Sequence, residues 1–179
     1  MKKLFPLTLI AAALMVGCST TPLPEDSGAP VESRASTDVK PVVADGLDAS
    51  GLPRELTDPK SPLSQRSIYF DLDKFDIKPE YQSLVANHAR YLTANRGYKI
   101  LVQGNTDERG SREYNLSLGQ KRADAVKRSL MLLGVQESQI ESVSLGEEKP
   151  KNPGQGEAAW AENRRADILY RAPDGRGEF

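Results

Sequence analysis

The sequence predicts an α/β domain, an α+β sandwich in the wider sense, in which two main helices pack on one face of a sheet. Short runs with strand composition alternate with two long segments whose apolar residues recur every three or four positions. Residues 19–62 instead hold many Pro, Ser, Thr and Asp residues and no aromatic residue, which sets them apart from the domain. These patterns do not determine the order of the strands.

The first strand and the first long helix are predicted between residues 67 and 96. Residues 68–70, Ile-Tyr-Phe, have strand composition. Pro79 suits the first position of a helix that extends to residue 96, and Gly97 provides its stop. Because the only histidine lies on the apolar face of this helix, we interpret it as a core residue and not as a ligand. The face consists of Tyr81, Leu84, Val85, His88, Tyr91 and Leu92.

The rest of the domain is predicted to contain a second strand–helix pair and two further strands. The strand covers residues 99–103, and Ser111 can cap a helix over residues 112–133 that ends before Gly134. A strand over 143–146, a polar loop, a short helix over 158–164 and a strand over 166–170 follow. The domain thus covers residues 63–172, and residues 173–179 are predicted to form a loose tail. The apolar stripe of the long helix is predicted to be Leu116, Gly119, Ala123, Val126, Leu130 and Leu133.

The first 17 residues have the features of a secretory signal. Two lysines precede an apolar run over residues 4–16, which is shorter than the ~20 residues needed to span a bilayer as a helix. The run ends in a segment that is similar to a bacterial lipobox, with Met15 where leucine is usual, so we predict cleavage after Gly17 and lipidation of Cys18. An aspartate directly after the cysteine would imply retention in the inner membrane. Ser19 occupies that position here, so the segment implies transport to the outer membrane. The alternative is an ordinary signal peptide with a chance cysteine.

Residues 18–62 are predicted to be a lipidated cysteine followed by a disordered tether. Their composition cannot bury enough apolar area to offset the entropy of ordering the chain. A disordered tail without a spacing role fits the composition equally well. The lipid at one end and a domain at the other favour the tether.

Composition excludes several classes of function. The net charge is −1, so the chain lacks the excess of basic residues that is typical of a nucleic-acid-binding protein. A single cysteine cannot form an intramolecular disulfide, and one histidine with one cysteine leaves no zinc site and no His-based nucleophile system. The three aspartates over residues 71–76 lack the glycine that an EF-hand needs at its sixth position. We therefore predict no metal, no cofactor and no catalytic residue.

The most informative stretch is residues 104–123, with the sequence GNTDERGSREYNLSLGQKRA. It places Asp107 at the end of a strand, Asn115 in the first turn of a helix, and Arg122 seven residues later on nearly the same side. A carboxylate, an amide and a guanidinium held close together suit a ligand that carries both an ammonium and a carboxylate group. Arg122 could instead be an exposed arginine that lies over its helix.

This stretch resembles the signature of OmpA-like peptidoglycan-binding domains, most closely in the lipoprotein branch that works with the Tol proteins. The resemblance covers roughly residues 65–171 and includes residues 69–71, 106–110, 113–115, Gly119, 122–123 and 163–165. It implies an OmpA-like β-α-β-α-β core with a mixed sheet. It also implies a non-enzymatic protein that anchors the outer membrane to peptidoglycan within the Tol system of cell division.

The resemblance further implies a ligand and partners. The ligand is the meso-diaminopimelate stem peptide, with Asp107 on its ammonium, Arg122 on its carboxylate and Asn115 hydrogen-bonded to the peptide. Phe70 and Asp71 would lie at the mouth of the pocket, and Arg164 would approach the ligand. TolB and other Tol proteins are the implied partners, with TolB competing for the same face. Arg164 could instead belong to a solvated helix end.

Two alternatives remain at this point. The protein could be an OmpA-like structural lipoprotein without Tol partners. It could also be a cell-wall hydrolase, since such enzymes use paired carboxylates and the chain has 25 acidic residues. Nothing in the sequence marks any two of them as a catalytic pair.

Overall fold

A computed structural model describes residues 46–179, so the predicted signal peptide, Cys18 and most of the predicted tether lie outside the described residues. Within this part of the chain, no helix has the length and apolar character needed to cross a membrane. The elements in chain order are α1 (Arg54–Thr57), β1 (Ser67–Tyr69), a 3₁₀ turn (Pro79–Tyr81), α2 (Gln82–Ala94), β2 (Lys99–Asn105), α3 (Arg112–Leu132), a second 3₁₀ turn (Glu137–Gln139), β3 (Ile140–Gly146), α4 (Glu157–Asn163) and β4 (Arg165–Arg171).

The four strands form one mixed sheet in the order β1-β4-β2-β3. β4 is antiparallel to both of its neighbours, whereas β2 and β3 are parallel. Parallel strands need a long crossover connection, and α3 supplies it. The mixed sheet and its two main helices confirm the predicted fold class.

The core lies between the sheet and the two long helices. Strand residues such as Ile100, Val102 and Ile168 are fully buried in the same cluster as Val126 and Leu130 of α3. The buried face of α2 contains the predicted residues from Leu84 to Leu92. Tyr81, which precedes the helix, is only half-buried. This helix ends at Ala94 and not at residue 96, because the chain leaves helical geometry at Asn95 (φ −117°).

Helix α3 begins as predicted, and its buried face matches most of the predicted stripe, namely Gly119, Ala123, Val126 and Leu130. The hydroxyl of Ser111 accepts a hydrogen bond from the backbone N–H of Tyr114 (3.2 Å) and caps the helix. Leu116 and Leu133, both predicted in the apolar stripe, are 52% and 49% exposed. The buried face instead includes Leu118, Asn115 and Arg122. The prediction missed Asn115 and Arg122 because it followed apolar residues only, and these two buried side chains are polar.

Two glycines bring α3 against the end of β2. A Cβ atom on Gly104 would lie 1.8 Å from the carbonyl oxygen of Gly119, and one on Gly119 would lie 2.3 Å from the hydroxyl of Ser144. Neither position has room for a side chain. The backbone contact therefore fixes the distance between the residues that follow β2 and the first turns of α3.

Residues 46–62 belong to the domain and not to a tether. Leu52 and Leu56 of this segment are fully buried in the main core, and Leu56 lies within α1. The guanidinium of Arg66 also donates to the carbonyl of Leu56. The expected boundary at residue 63 is thus too late, because prolines and polar residues around these two leucines imitate the composition of a linker.

The C-terminal residues are also ordered against the sheet. The backbone N–H of Glu178 donates to the carbonyl of Tyr170 (2.9 Å), and its carboxylate accepts from the Tyr170 N–H (2.8 Å). The guanidinium of Arg171 lies 4.1 Å from the centre of the Phe179 ring. Residues 173–179 therefore fold back along β4 and do not form the expected loose tail.

His88 is a buried core residue, as predicted. Its Nε2 atom lies 2.8 Å from the carbonyl of Gln65, which can only accept, so Nε2 carries the proton. Its Nδ1 atom then accepts from the hydroxyl of Tyr170 at 2.8 Å. Burial lowers the pKa of His88 to about 4.

The burial of His88 predicts that the free energy of unfolding falls with pH already above the range in which carboxylates titrate. Because the folded pKa lies below the unfolded value of about 6.5, the unfolded state binds the proton first as pH falls, and stability present above pH 6.5 is lost toward pH 4. We expect the free energy of unfolding in urea to be about 2 kcal/mol lower at pH 5 than at pH 7.5. His88→Gln should be less stable at both pH values but lose this difference. A variant that kept the same difference would contradict the assignment.

Candidate functional site

A narrow cleft lies beyond the C-terminal end of β2, between the loop that follows β1, the first turns of α3 and the start of β4. Its cavity volume is about 10 Å³, because its own side chains fill most of it. Four of the six predicted binding residues line it, namely Asp107, Asn115, Arg122 and Arg164. The remaining lining residues are Leu72, Asp73, Thr106, Arg109 and Leu118.

Arg122 is fully buried and held by backbone carbonyls. Its guanidinium donates to the carbonyls of Lys74 (2.9 Å), Asn105 (2.8 Å) and Asp71 (3.1 Å). The interpretation of Arg122 as an exposed arginine is therefore wrong. Burial lowers its pKa to about 10, so the group stays charged at neutral pH. Three of its five N–H groups are used by described residues, which leaves two for a ligand.

Asp107 is buried and bonded to two arginines. Its Oδ2 atom accepts from Arg109 (2.6 Å) and from Arg164 (3.2 Å). Its Oδ1 atom accepts from the backbone N–H and from Nε of Arg109, at 3.1 and 3.3 Å. Burial by itself would raise the pKa of Asp107, but the hydrogen bonds from Arg109 and Arg164 outweigh it and hold the pKa below its ordinary value. Asp107 is thus an ionised carboxylate with a cation already on it.

The two arginines on Asp107 differ in how firmly they are held. Arg164 has a side chain only 7% exposed, and it also donates to the carbonyl of Phe70 (3.1 Å) and to the carboxylate of Glu157 (2.6 Å). It is no solvated helix end. Arg109 has a side chain 33% exposed, and its guanidinium carbon lies over Trp160, 4.1 Å from the ring centre. Arg109 is therefore the partner that can leave Asp107.

Asn115 is buried, and its amide N–H₂ donates to the carboxylate of Glu147 in the loop after β3. The structure does not bring the side chains of Phe70 and Asp71 into the lining of the cleft. The Phe70 ring lies under Arg122, 5.2 Å from the guanidinium carbon. The Asp71 carboxylate is 67% exposed and pairs with Lys78 (2.7 Å), whose hydrogen bond lowers the pKa of Asp71. Both residues instead offer their carbonyls to the two buried arginines.

Sequence reasoning assigned no role to Arg109, Thr106 or Trp160. The pattern of an aspartate two residues before Arg109 was a usable signal, because an aspartate commonly bonds to the backbone two residues on. Trp160 could not have been found, because it lies 51 positions after Arg109 and only the fold brings them together. Its indole N–H also donates to Glu108 (3.0 Å).

The charges that line the cleft suit the binding of a ligand. Its lining has three guanidinium groups against the carboxylates of Asp73 and Asp107, an excess of one positive charge that favours an anionic group. Its lining residues include no histidine or cysteine. Among residues 46–179, no three His, Cys, Asp or Glu side chains are placed to hold a metal ion.

Comparison with known proteins agrees with these features. The model of the OmpA family matches residues 69–164. The chain is 38% identical over 164 residues to the peptidoglycan-associated lipoprotein of Pseudomonas putida, which covers 92% of this chain and 94% of that protein. It is 51% identical over 110 residues to the peptidoglycan-associated lipoprotein of Pasteurella multocida, covering 60% and 73%.

A solved structure is similar as well. The crystal structure of the peptidoglycan-associated lipoprotein from Burkholderia pseudomallei has a TM-score of 0.64 and 57% identity, and covers 65% of this chain and 99% of that chain. These relatives are named for association with peptidoglycan and not for an enzymatic activity, which agrees with the prediction of a non-enzymatic protein. The chain belongs to the OmpA family, and its matched relatives in that family are peptidoglycan-associated lipoproteins.

Proposed function

We propose that this protein is an outer-membrane lipoprotein that binds peptidoglycan non-covalently through the diaminopimelate residue of the stem peptide. The observation that carries this proposal is the cleft in which Asp107 and the buried guanidinium of Arg122 lie together. The free end of diaminopimelate has one ammonium and one carboxylate, and each finds a group of opposite charge here. The names of the matched relatives support an association with peptidoglycan.

The ammonium group of the ligand takes the place of Arg109 on Asp107. A buried carboxylate without a cation is costly, so the exchange of one cation for another keeps Asp107 neutralised throughout. Arg164 stays bonded to Asp107 and keeps its carboxylate in position. The displaced Arg109 side chain is partly exposed and can reach solvent or Glu157, which lies 3.8 Å away.

The carboxylate group of the ligand binds Arg122. Three backbone carbonyls already fix this guanidinium, so little side-chain entropy is lost when the ligand arrives. Phe70 and Asp71 contribute by positioning the arginines through their carbonyls, and Arg164 by orienting Asp107. Asn115, fixed by Glu147, completes the site beside the peptide.

Lipidation of Cys18 and membership of the Tol system are further parts of the proposal. The relatives are named lipoproteins, and the lipobox-like segment supports an anchor at Cys18. Two large side chains are exposed at the cleft, since Leu72 lines it and is 48% exposed, and Tyr114, 46% exposed, donates its hydroxyl to the lining residue Asp73. Such a rim suits a protein partner, and TolB is the partner we propose for it. The alternative is a structural lipoprotein without Tol partners.

Removal of the charge on Asp107 should weaken binding without a change of shape. We expect Asp107→Asn to lose about 2 kcal/mol or more of binding to a diaminopimelate muropeptide, because the ligand ammonium then lacks its charged acceptor. Calorimetric titration measures this. Asp174→Asn is the matched control, since Asp174 pairs with Arg176 in the exposed C-terminal segment and should leave the affinity unchanged. Equal affinity of Asp107→Asn and wild type would refute the proposed site.

The displacement of Arg109 should be visible in tryptophan fluorescence. Trp160 is the only tryptophan, and the Arg109 guanidinium covers its ring. We expect saturation with the muropeptide to change the emission of Trp160, and Arg109→Ala to bind the muropeptide without that change. Binding to wild type that leaves the emission unaltered would show that Arg109 stays in place.

Competition tests the proposed partner. We expect a saturating diaminopimelate muropeptide to prevent the chain from residue 19 onward from binding immobilised TolB, because both ligands need the surface around Asp107. A muropeptide that lacks the diaminopimelate residue is the control. Simultaneous binding would contradict a shared surface, and no binding to TolB at all would favour the lipoprotein without Tol partners.

A further inference from the structure

We propose that Thr106 is a further ligand-binding residue, whose hydroxyl donates a hydrogen bond to the ligand carboxylate beside Arg122. This inference rests on the proposed function and names a specificity-determining residue that the sequence signature did not assign.

The hydroxyl of Thr106 is buried without a partner. Thr106 is 3% exposed, and its backbone N–H is used by the carbonyl of Gly146 at 2.8 Å. Three buried side-chain polar atoms among residues 46–179 have no hydrogen-bond partner, and they belong to Asn105, Thr106 and Arg165. Only Thr106 of these lines the cleft. An unpartnered buried hydroxyl therefore belongs to a residue that lines the candidate site.

The hydrogen-bonding needs of the cleft identify the ligand group. Arg122 has two N–H groups left over, and the Thr106 hydroxyl adds a third donor. Both oxygens of Asp107 are already taken by Arg109 and Arg164. Arg122 and Thr106 thus offer three donors, and a carboxylate, which only accepts and offers two oxygens, is a group that satisfies them.

Threonine at position 106 lowers the stability of the folded protein when no ligand is bound. Valine has nearly the same shape as threonine and an equal preference for extended backbone, and it would carry no buried hydroxyl. A hydroxyl without a partner is unfavourable in the folded protein. Its presence at this position is explained when a ligand supplies the acceptor.

The test separates binding from stability with two substitutions. Thr106→Val removes the hydroxyl and keeps the shape, whereas Thr106→Ser keeps the hydroxyl and removes the methyl group. We expect Thr106→Val to raise the Kd for a diaminopimelate tripeptide about tenfold or more, because a hydrogen bond to a charged group is lost. Its thermal unfolding midpoint should equal or exceed that of wild type. Thr106→Ser should keep an affinity close to that of wild type.

Each outcome of this test decides whether Thr106 binds the ligand. If Thr106→Val keeps the affinity of wild type while Asp107→Asn binds the tripeptide more weakly, the inference is overturned and the proposed function stands. A lower unfolding midpoint of Thr106→Val, or weak binding by Thr106→Ser, would show a packing role and also overturn it. A folded wild type that fails to bind the tripeptide would overturn both.

Discussion

The site depends on the burial of Arg122. A guanidinium removed from water needs hydrogen-bond acceptors and a nearby negative charge, and the chain supplies both from different segments. Carbonyls of the loop after β1 and of β2 take up three of its N–H groups, and Asp107 lies across the cleft. Arg164 holds the same loop through the carbonyl of Phe70. The loop after β1 is therefore positioned by arginines and not by its own secondary structure.

The backbone contact between Gly104 and Gly119 gives this network its geometry. β2 must end close to the first turns of α3 for one cleft to include Asp107, Asn115 and Arg122. Any side chain at either glycine would separate the strand from the helix. The sequence stretch that carries the binding residues thus also carries the two glycines that bring them together.

The sequence predicted those parts of the fold that local chemistry determines. The cap at Ser111, the left-handed Gly134 after α3 (φ 94°) and the core face of α2 each follow from one residue type or one periodicity. Contacts between distant segments decided the rest. Arg122 can be buried because carbonyls about 17 to 51 positions away accept hydrogen bonds from its guanidinium. No local sequence pattern predicts these distant contacts. Leu52 and Leu56 are likewise core residues only because the domain covers them.

The same limit applies to the site. The sequence brought Asp107 and Arg122 together as opposite charges, but it did not show that Arg109 already occupies Asp107. That occupation bears on selectivity. A ligand with only a carboxylate leaves Arg109 in place and meets Arg122 alone. A lysine-like ligand with only an ammonium can displace Arg109, but it leaves the spare donors of Arg122 and Thr106 without an acceptor. In the proposed site, a group that carries both charges satisfies the acceptor and the donors at once, so the proposal predicts selection of the free end of an amino acid over either charge alone.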